Sequence, residues 1–368
     1  TADLQGKSIK YFLVSLSFFV NLIFANYQFE TIASNLDDAW SFDFLNENQI
    51  IFTEQPGKIN IVTISSGEIL NVEGAPKVQY ASQGGLSEIV LDPDFKKNNT
   101  LYLTYSALNE SGKSTLFLMS AELSNNSLIN KKVIFEANAF RRVPIHLGAK
   151  IDFLSDGTLL LTSGDGFDYK EQAQSLNNHF GKIIRINKDG SVPSDNPFVD
   201  IPNALPEIFS YGHRNMQGLV VMEDGRIFEH EHGPRGGDEF NLIEPGKNYG
   251  WPAITYGIDY SGAVISPFTE MDGMEQPLKY WVPSIAPSDM IYYDGDFYPE
   301  LKNSFLITAL KSRDVKKIKK TNGLFSEESI FSNLKSRLRS IRVSPSGEIY
   351  LLTDGRKGKL IKVSITEI

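Results

Sequence analysis

The chain has 368 residues, 41% of them hydrophobic and 22% charged, which is ordinary globular usage and excludes a disordered or multiply spanning protein. A net charge of −9 argues against general nucleic-acid binding, which needs a basic face. The absence of cysteine excludes disulfides, thiolate catalysis and cysteine-ligated zinc.

At the N-terminal end, "KSIKYFLVSLSFFVNLIFANYQ" places Lys7 and Lys10 ahead of an apolar run, the layout of a secretory signal peptide. This predicts a leader over residues 1–25 and a periplasmic or secreted mature chain, residues 26–368, folded as one domain. The apolar run is short for a span and carries Ser15, Ser17 and Asn21, so no stable membrane insertion is expected.

Beyond the leader, short β-rich runs alternate with Asp-Gly, Asn-rich and Ser-Gly turns, and no amphipathic helix of three turns occurs. One unit recurs: an apolar run, a polar turn, a second apolar run, then a polar or glycine residue. Copies begin at Phe42, Ile89, Ile151, Leu219, Met290 and Ile341, with spacings of 47, 62, 68, 71 and 51 residues. Periods of this size point to a propeller with loop insertions. Six copies predict an all-β, six-bladed β-propeller of four-stranded antiparallel blades, with "NYQFETIA" supplying the strand that closes the ring.

A hairpin puts the residue before its first strand and the residue after its second at the same open end. After the second strands come Glu54, Tyr105, Asp165, His232 with Gly233, Lys311 and Asp354. Before the first strands come Gln83, His146, Arg214 with Asn215, the "WVPSIAPS" segment, and Arg337 with Arg339. All six repeats therefore offer polar chemistry to one face of the ring. Arg214, Lys311, Arg337 and Arg339 around one mouth imply a ligand with several negative charges. His146 and Asp165 form the natural acid/base pair.

The segments "YGHRNMQGL", "HGPRGGDEFNLIEPGKNYGWP", "HFGKIIRI" and "WVPSIAPS", in this order, resemble the soluble quinoprotein glucose dehydrogenase and aldose sugar dehydrogenase family. These are six-bladed propellers that use pyrroloquinoline quinone (PQQ) and calcium. The resemblance implies oxidation of aldoses to lactones, with His146 as the base at the C1 hydroxyl and Asp165 supporting it. Arg214 and Asn215 would meet the quinone oxygens; Lys311, Arg337 and Arg339 would meet its carboxylates; Gln83 would lie at the substrate or quinone edge. A tricarboxylate cofactor also accounts for the cationic mouth.

In "EHEHGPRGGDE", strand alternation sends His230 and His232 to one side and Glu229 and Glu231 to the other, so the four cannot converge on one metal. The resemblance instead puts calcium on the carbonyls of Gly233 and Pro234, and a second, structural calcium at Glu239 and Tyr249. His179, His213 and His230 read as structural. Ser87, Glu88, Asp92 and Ser340 depart from the family's usual residues. The electron acceptor would be external, a soluble cytochrome or quinone, because a chain without cysteine has no haem-attachment motif; a monomer or homodimer is expected. A calcium-dependent lactonase propeller and an inactive sugar- or protein-binding propeller are the competing readings.

Overall fold

The computed structural model describes residues 26–366, folded as six four-stranded antiparallel sheets. The predicted leader lies outside the described residues. Five sheets are continuous in sequence. Their innermost strands are Ala39–Asn46, Leu86–Leu91, Gly148–Phe153, Met216–Val221 and Pro287–Tyr293. The sixth is built from both ends of the chain: Leu338–Val343, Ile349–Thr353 and Gly358–Thr366 are completed by Asn26–Leu36 on the outside. That closing strand pairs antiparallel with Gly358–Thr366, Phe29 opposite Val363 and Thr31 opposite Ile361. It covers an edge that would otherwise be open. Neighbouring innermost strands touch all the way round, the last against the first, so the propeller is closed. Among the described residues no helix is long and apolar enough to cross a membrane.

Each blade packs on two neighbours, which explains why the second strands are apolar on both sides. Leu159–Ser163 and Ile349–Thr353 are buried at every residue. The core consequently lies in layers between blades, as where Ile51, Ile59 and Ile61 meet Leu86, Ile89 and Leu103. All six innermost strands slip register against their partners near the start, between Ala39 and Phe42, Leu86 and Ile89, Gly148 and Ile151, Met216 and Gly218, Pro287 and Asp289, and Leu338 and Ser340. Such irregularities bend a strand and re-aim its side chains. Here they fall at the end of the ring where the candidate site residues cluster.

The axial channel is crossed by four charges, Glu88, Lys150 and Asp289 buried and Arg342 partly buried. Lys150 Nζ lies 2.5 Å from Glu88 Oε2 and 2.8 Å from Asp289 Oδ1, while Arg342 reaches Glu88 at 2.5 Å and Asp289 at 2.6 Å. Ser41 and Ser340 complete the set with hydrogen bonds to Glu88 and Asp289. Two of the departures noted in the sequence, Glu88 and Ser340, are thus members of one network. A cavity of about 670 Å³ lies beyond it, against the far ends of the innermost strands. The candidate site lies on the near side.

Candidate active site

His146 and Asp165 meet as the hairpin geometry predicts: His146 Nδ1 is 2.7 Å from Asp165 Oδ1, and both side chains are buried. His146 adopts a left-handed backbone (φ 47°), unusual for a residue other than glycine. Its peptide N–H donates to Gln83 Oε1 at 2.9 Å, so Gln83 fixes the strained turn that presents the ring. Asp165 is held in turn, with Trp251 Nε1 donating to its Oδ2 at 2.8 Å and its own N–H donating to Arg214 O. Burial is the main reason His146 sits below the ordinary imidazole value of 6.5, despite the Asp165 hydrogen bond. Burial also pushes Asp165 upward, but the His146 hydrogen bond and the Arg214 charge outweigh it and keep the carboxyl ionised. The result is a neutral imidazole oriented through Nδ1, whose Nε2 has no protein hydrogen bond among the described residues.

Beside this pair opens a cavity of about 420 Å³ lined by Gln83, Ser87, Asn215, His232, Arg337 and Arg339, among others. Asp354 lies between the two arginines, accepting from Arg337 Nε at 2.8 Å and from Arg339 Nη2 at 2.6 Å. One carboxylate shared by two guanidiniums leaves that stretch of the wall positive, while Asp38, which accepts from the Tyr80 hydroxyl, lines the same cavity elsewhere. Arg214 does not line this cavity; its Nη1 donates to the carbonyls of His232 (2.9 Å) and Gly233 (2.7 Å), and its buried Nε has no partner. Asn215 Oδ1 accepts from Gly148 N at 3.2 Å, tying two blades together beneath the cavity. Lys311 is exposed at the rim and does not line the cavity. Glu54 and Tyr105 point elsewhere: Glu54 accepts from Asp37 N and Asn60 Nδ2, and Tyr105 stacks on Phe117.

The turn after His232 is folded by Asp238, a residue the sequence analysis did not single out. Its Oδ1 accepts from Gly233 N, and its Oδ2 accepts from Ser284 Oγ and the peptide N–H groups of Ile285 and Ala286. A Cβ on Gly233 would lie 2.2 Å from the Gly237 carbonyl carbon, so only glycine fits. Pro234 lines a second, smaller cavity together with Asp165, Arg214 and Trp251.

A buried acidic cluster lies behind this turn. Alternation puts Glu229 and Glu231 on one face, as expected, and the next strand adds Glu239 opposite Glu231 and Asn241 opposite Glu229. His213 Nδ1 and one oxygen each of Glu229 and Glu231 lie within 4.8 Å of one another. His213 Nδ1, Glu229 Oε1 and Asn241 Oδ1 are buried without hydrogen-bond partners. Burial, reinforced at Glu231 by the charges of Glu229 and Glu239, pushes Glu229 and Glu231 well above the ordinary range; burial raises Glu239 to about 7. Carboxylates and a neutral imidazole around unsatisfied atoms are a donor set suited to a divalent cation. Tyr249 stacks on His213 at 4.7 Å between centroids, but its hydroxyl is engaged with Leu242 O and Glu244 N. His213 thus joins a candidate metal centre where the sequence suggested only a structural role, whereas His179, between Asn138 N and Glu207, and His230, against Gly218, are packed within the fold. The signal that could have found the cluster was the hairpin register, which sets Glu239 across from Glu231.

Comparisons with known proteins bear on this arrangement. The model of the glucose / sorbosone dehydrogenase family matches residues 36–362. The aldose sugar dehydrogenase YliI of Escherichia coli is 35% identical over 345 residues, 91% of this chain and 92% of that protein. Quinoprotein glucose dehydrogenase B of Acinetobacter calcoaceticus is 31% identical over 64% of this chain and 55% of its own length. The apo-form crystal structure of the E. coli soluble aldose sugar dehydrogenase superposes with a TM-score of 0.88 at 32% identity, covering 93% of this chain and all of that one. The chain belongs to the glucose / sorbosone dehydrogenase family.

Proposed function

We propose that the protein is a PQQ- and calcium-dependent aldose dehydrogenase that oxidises the sugar hemiacetal to its lactone and passes electrons to an external acceptor outside the cytoplasm. The observation that carries this is the buried His146–Asp165 pair, with Arg214 lining one adjoining cavity and Arg337 and Arg339 lining another. The donor set fits a polyanionic cofactor: two arginines share one carboxylate, and a third has an unpartnered buried Nε. Arg337 and Arg339 would hold carboxylates bidentately, with Lys311 at the rim, and Asn215 and Arg214 would meet the quinone oxygens. Bound PQQ would supply the hydride acceptor.

His146 would take the C1 hydroxyl proton on Nε2, and Asp165 would keep the ring oriented and stabilise the imidazolium. Calcium fits the turn at Gly233 and Pro234, where Asp238 fixes the backbone. It would compete with Arg214 for the Gly233 carbonyl, so binding there would release that guanidinium toward the cavity. A second calcium fits beside Glu239 and Tyr249, where the carboxylates of Glu229 and Glu231 would add ligands. The lactonase alternative needs carboxylates free to converge on an axial metal. Here Glu88 and Asp289, the axial carboxylates, are each paired with both Lys150 and Arg342.

The test is titration of the purified protein with PQQ and calcium, followed by quinone absorbance, then addition of aldoses with an artificial acceptor dye. Saturable binding and aldose-dependent bleaching are expected; no binding overturns the proposal. Arg337→Ala should weaken quinone binding by about tenfold, as loss of a charge-assisted contact implies. Chelation of the quinone-free protein should prevent reconstitution until calcium is restored.

A further inference from the structure

Phe167 stands out because it is in two uncommon states at once. Its backbone is left-handed (φ 64°) directly after Gly166 (φ 67°), and its large apolar ring is 42% exposed. A bulky residue held in that region signals a constraint imposed from elsewhere. The constraint is Asp165: its Oδ1 accepts from Phe167 N at 2.9 Å while also meeting His146 Nδ1. The ring that results stands edge-on to His146, with centroids 5.2 Å apart and planes at 83°. Its other neighbour is Tyr260, itself 58% exposed, 6.4 Å away and nearly parallel at 27°. One carboxylate therefore fixes both the candidate base and an aromatic surface beside it.

These rings border the cavity of about 260 Å³ whose inner wall is Asp165, Arg214 and Trp251 and whose polar rim carries Asp168, Lys170 and Asp259. Aromatic faces interleaved with charged and hydrogen-bonding groups suit a ligand that is apolar on one face and polar at its edge. A pyranose has that character, with axial C–H groups on its face and hydroxyls around its rim. We infer that Phe167, with Tyr260, forms a stacking subsite that takes the pyranose ring of the substrate and sets its C1 toward His146, making Phe167 a specificity-determining residue. This rests on the aldose reading above and adds to it the side chains that seat the closed ring.

The backbone supplies a clean test. Glycine adopts a positive φ without steric penalty, so Phe167→Gly removes the ring while relieving the turn, and the fold is retained. Three quantities are measured on the full protein: quinone affinity, kcat and KM for aldopyranoses, and saturation-transfer NMR with a methyl pyranoside, which lacks the C1 hydroxyl and cannot be oxidised. Phe167→Gly is expected to raise KM about tenfold, the size of a lost aromatic stacking contact, with quinone affinity within about twofold, well under the tenfold that 1.4 kcal/mol represents. It should also abolish pyranoside saturation transfer from aromatic protons, and Phe167→Tyr should restore both. An alditol should receive no such transfer from the parent protein. Unchanged KM and unchanged NMR contact would overturn the subsite, as would a variant that loses quinone affinity but keeps sugar contact. If the parent protein turns over no aldose yet shows pyranoside contact that Phe167→Gly removes, the dehydrogenase reading falls and the subsite stands.

Discussion

His146→Ala is expected to lower kcat on aldoses by about 100-fold to 10,000-fold, the range general-base catalysis contributes, while leaving quinone affinity nearly unchanged. The imidazole's hydrogen bond is to Asp165 and not to the arginines, and its peptide, not its ring, is what Gln83 holds. Alanine at a left-handed position is strained, but so is the histidine it replaces, so the turn has little reason to move. Steady-state kinetics with a dye acceptor, alongside quinone titration of the same variant, separates the two effects. Activity equal to the parent would remove His146 from the chemistry.

The same assignment fixes a pH profile. The base must be deprotonated, and burial lowers the pKa of His146 from 6.5. The neutral form therefore persists into more acidic solution than for an exposed imidazole. The acid limb of kcat/KM in the free enzyme should lie below pH 6.5, with activity falling as pH drops through the lowered pKa. A limb above that value would mean that Asp165, by stabilising the imidazolium, outweighs burial. Asp165→Asn is a less selective probe, because that carboxylate also binds Trp251 and the Phe167 peptide.

Much of the architecture was legible because a propeller repeats one short signal. Each hairpin reads as two apolar runs, so six copies reveal the blade count, and the hairpin rule then brings His146, Asp165, Arg214, Arg337 and Arg339 to one end. What stayed hidden depends on partners that share no local pattern. Asp238 reads as one acid in "GGDE", but its work is to bind the Gly233 peptide and the turn at Ser284 in the next blade. His213 looked isolated because the residues it meets, Glu229 and Glu231, lie on a strand of the same blade that begins 14 residues later at Ile227. Lys311 falls short for a related reason: a hairpin end fixes where a backbone emerges, not how far a flexible side chain reaches. Phe167 was invisible since nothing in "GDGFD" announces which residue will take the left-handed backbone.

The four charges across the channel make the last prediction. Lys150→Met should destabilise the protein by about 3–5 kcal/mol, the cost of breaking a buried ion pair from one side. Methionine matches the length of the lysine stem, so packing changes little, although the ammonium also loses its place 5.2 Å from the centre of the Trp40 ring. What changes is charge: Glu88 and Asp289 would then face each other with Arg342 as their one shared cation. Burial raises Glu88 even with Lys150 and Arg342 present, their attraction only moderating the rise, whereas the same two charges hold Asp289 below its ordinary value. With Lys150 gone, the Glu88 carboxyl should rise further above its ordinary value, and the loss of stability should shrink as the solution is acidified. Lys97→Met, which breaks a solvent-exposed pair with Asp94, should leave the urea midpoint unchanged. Equal midpoints for the Lys150 variant and the parent would mean that the network adds no net stability and that the apolar layers between blades close the ring without it.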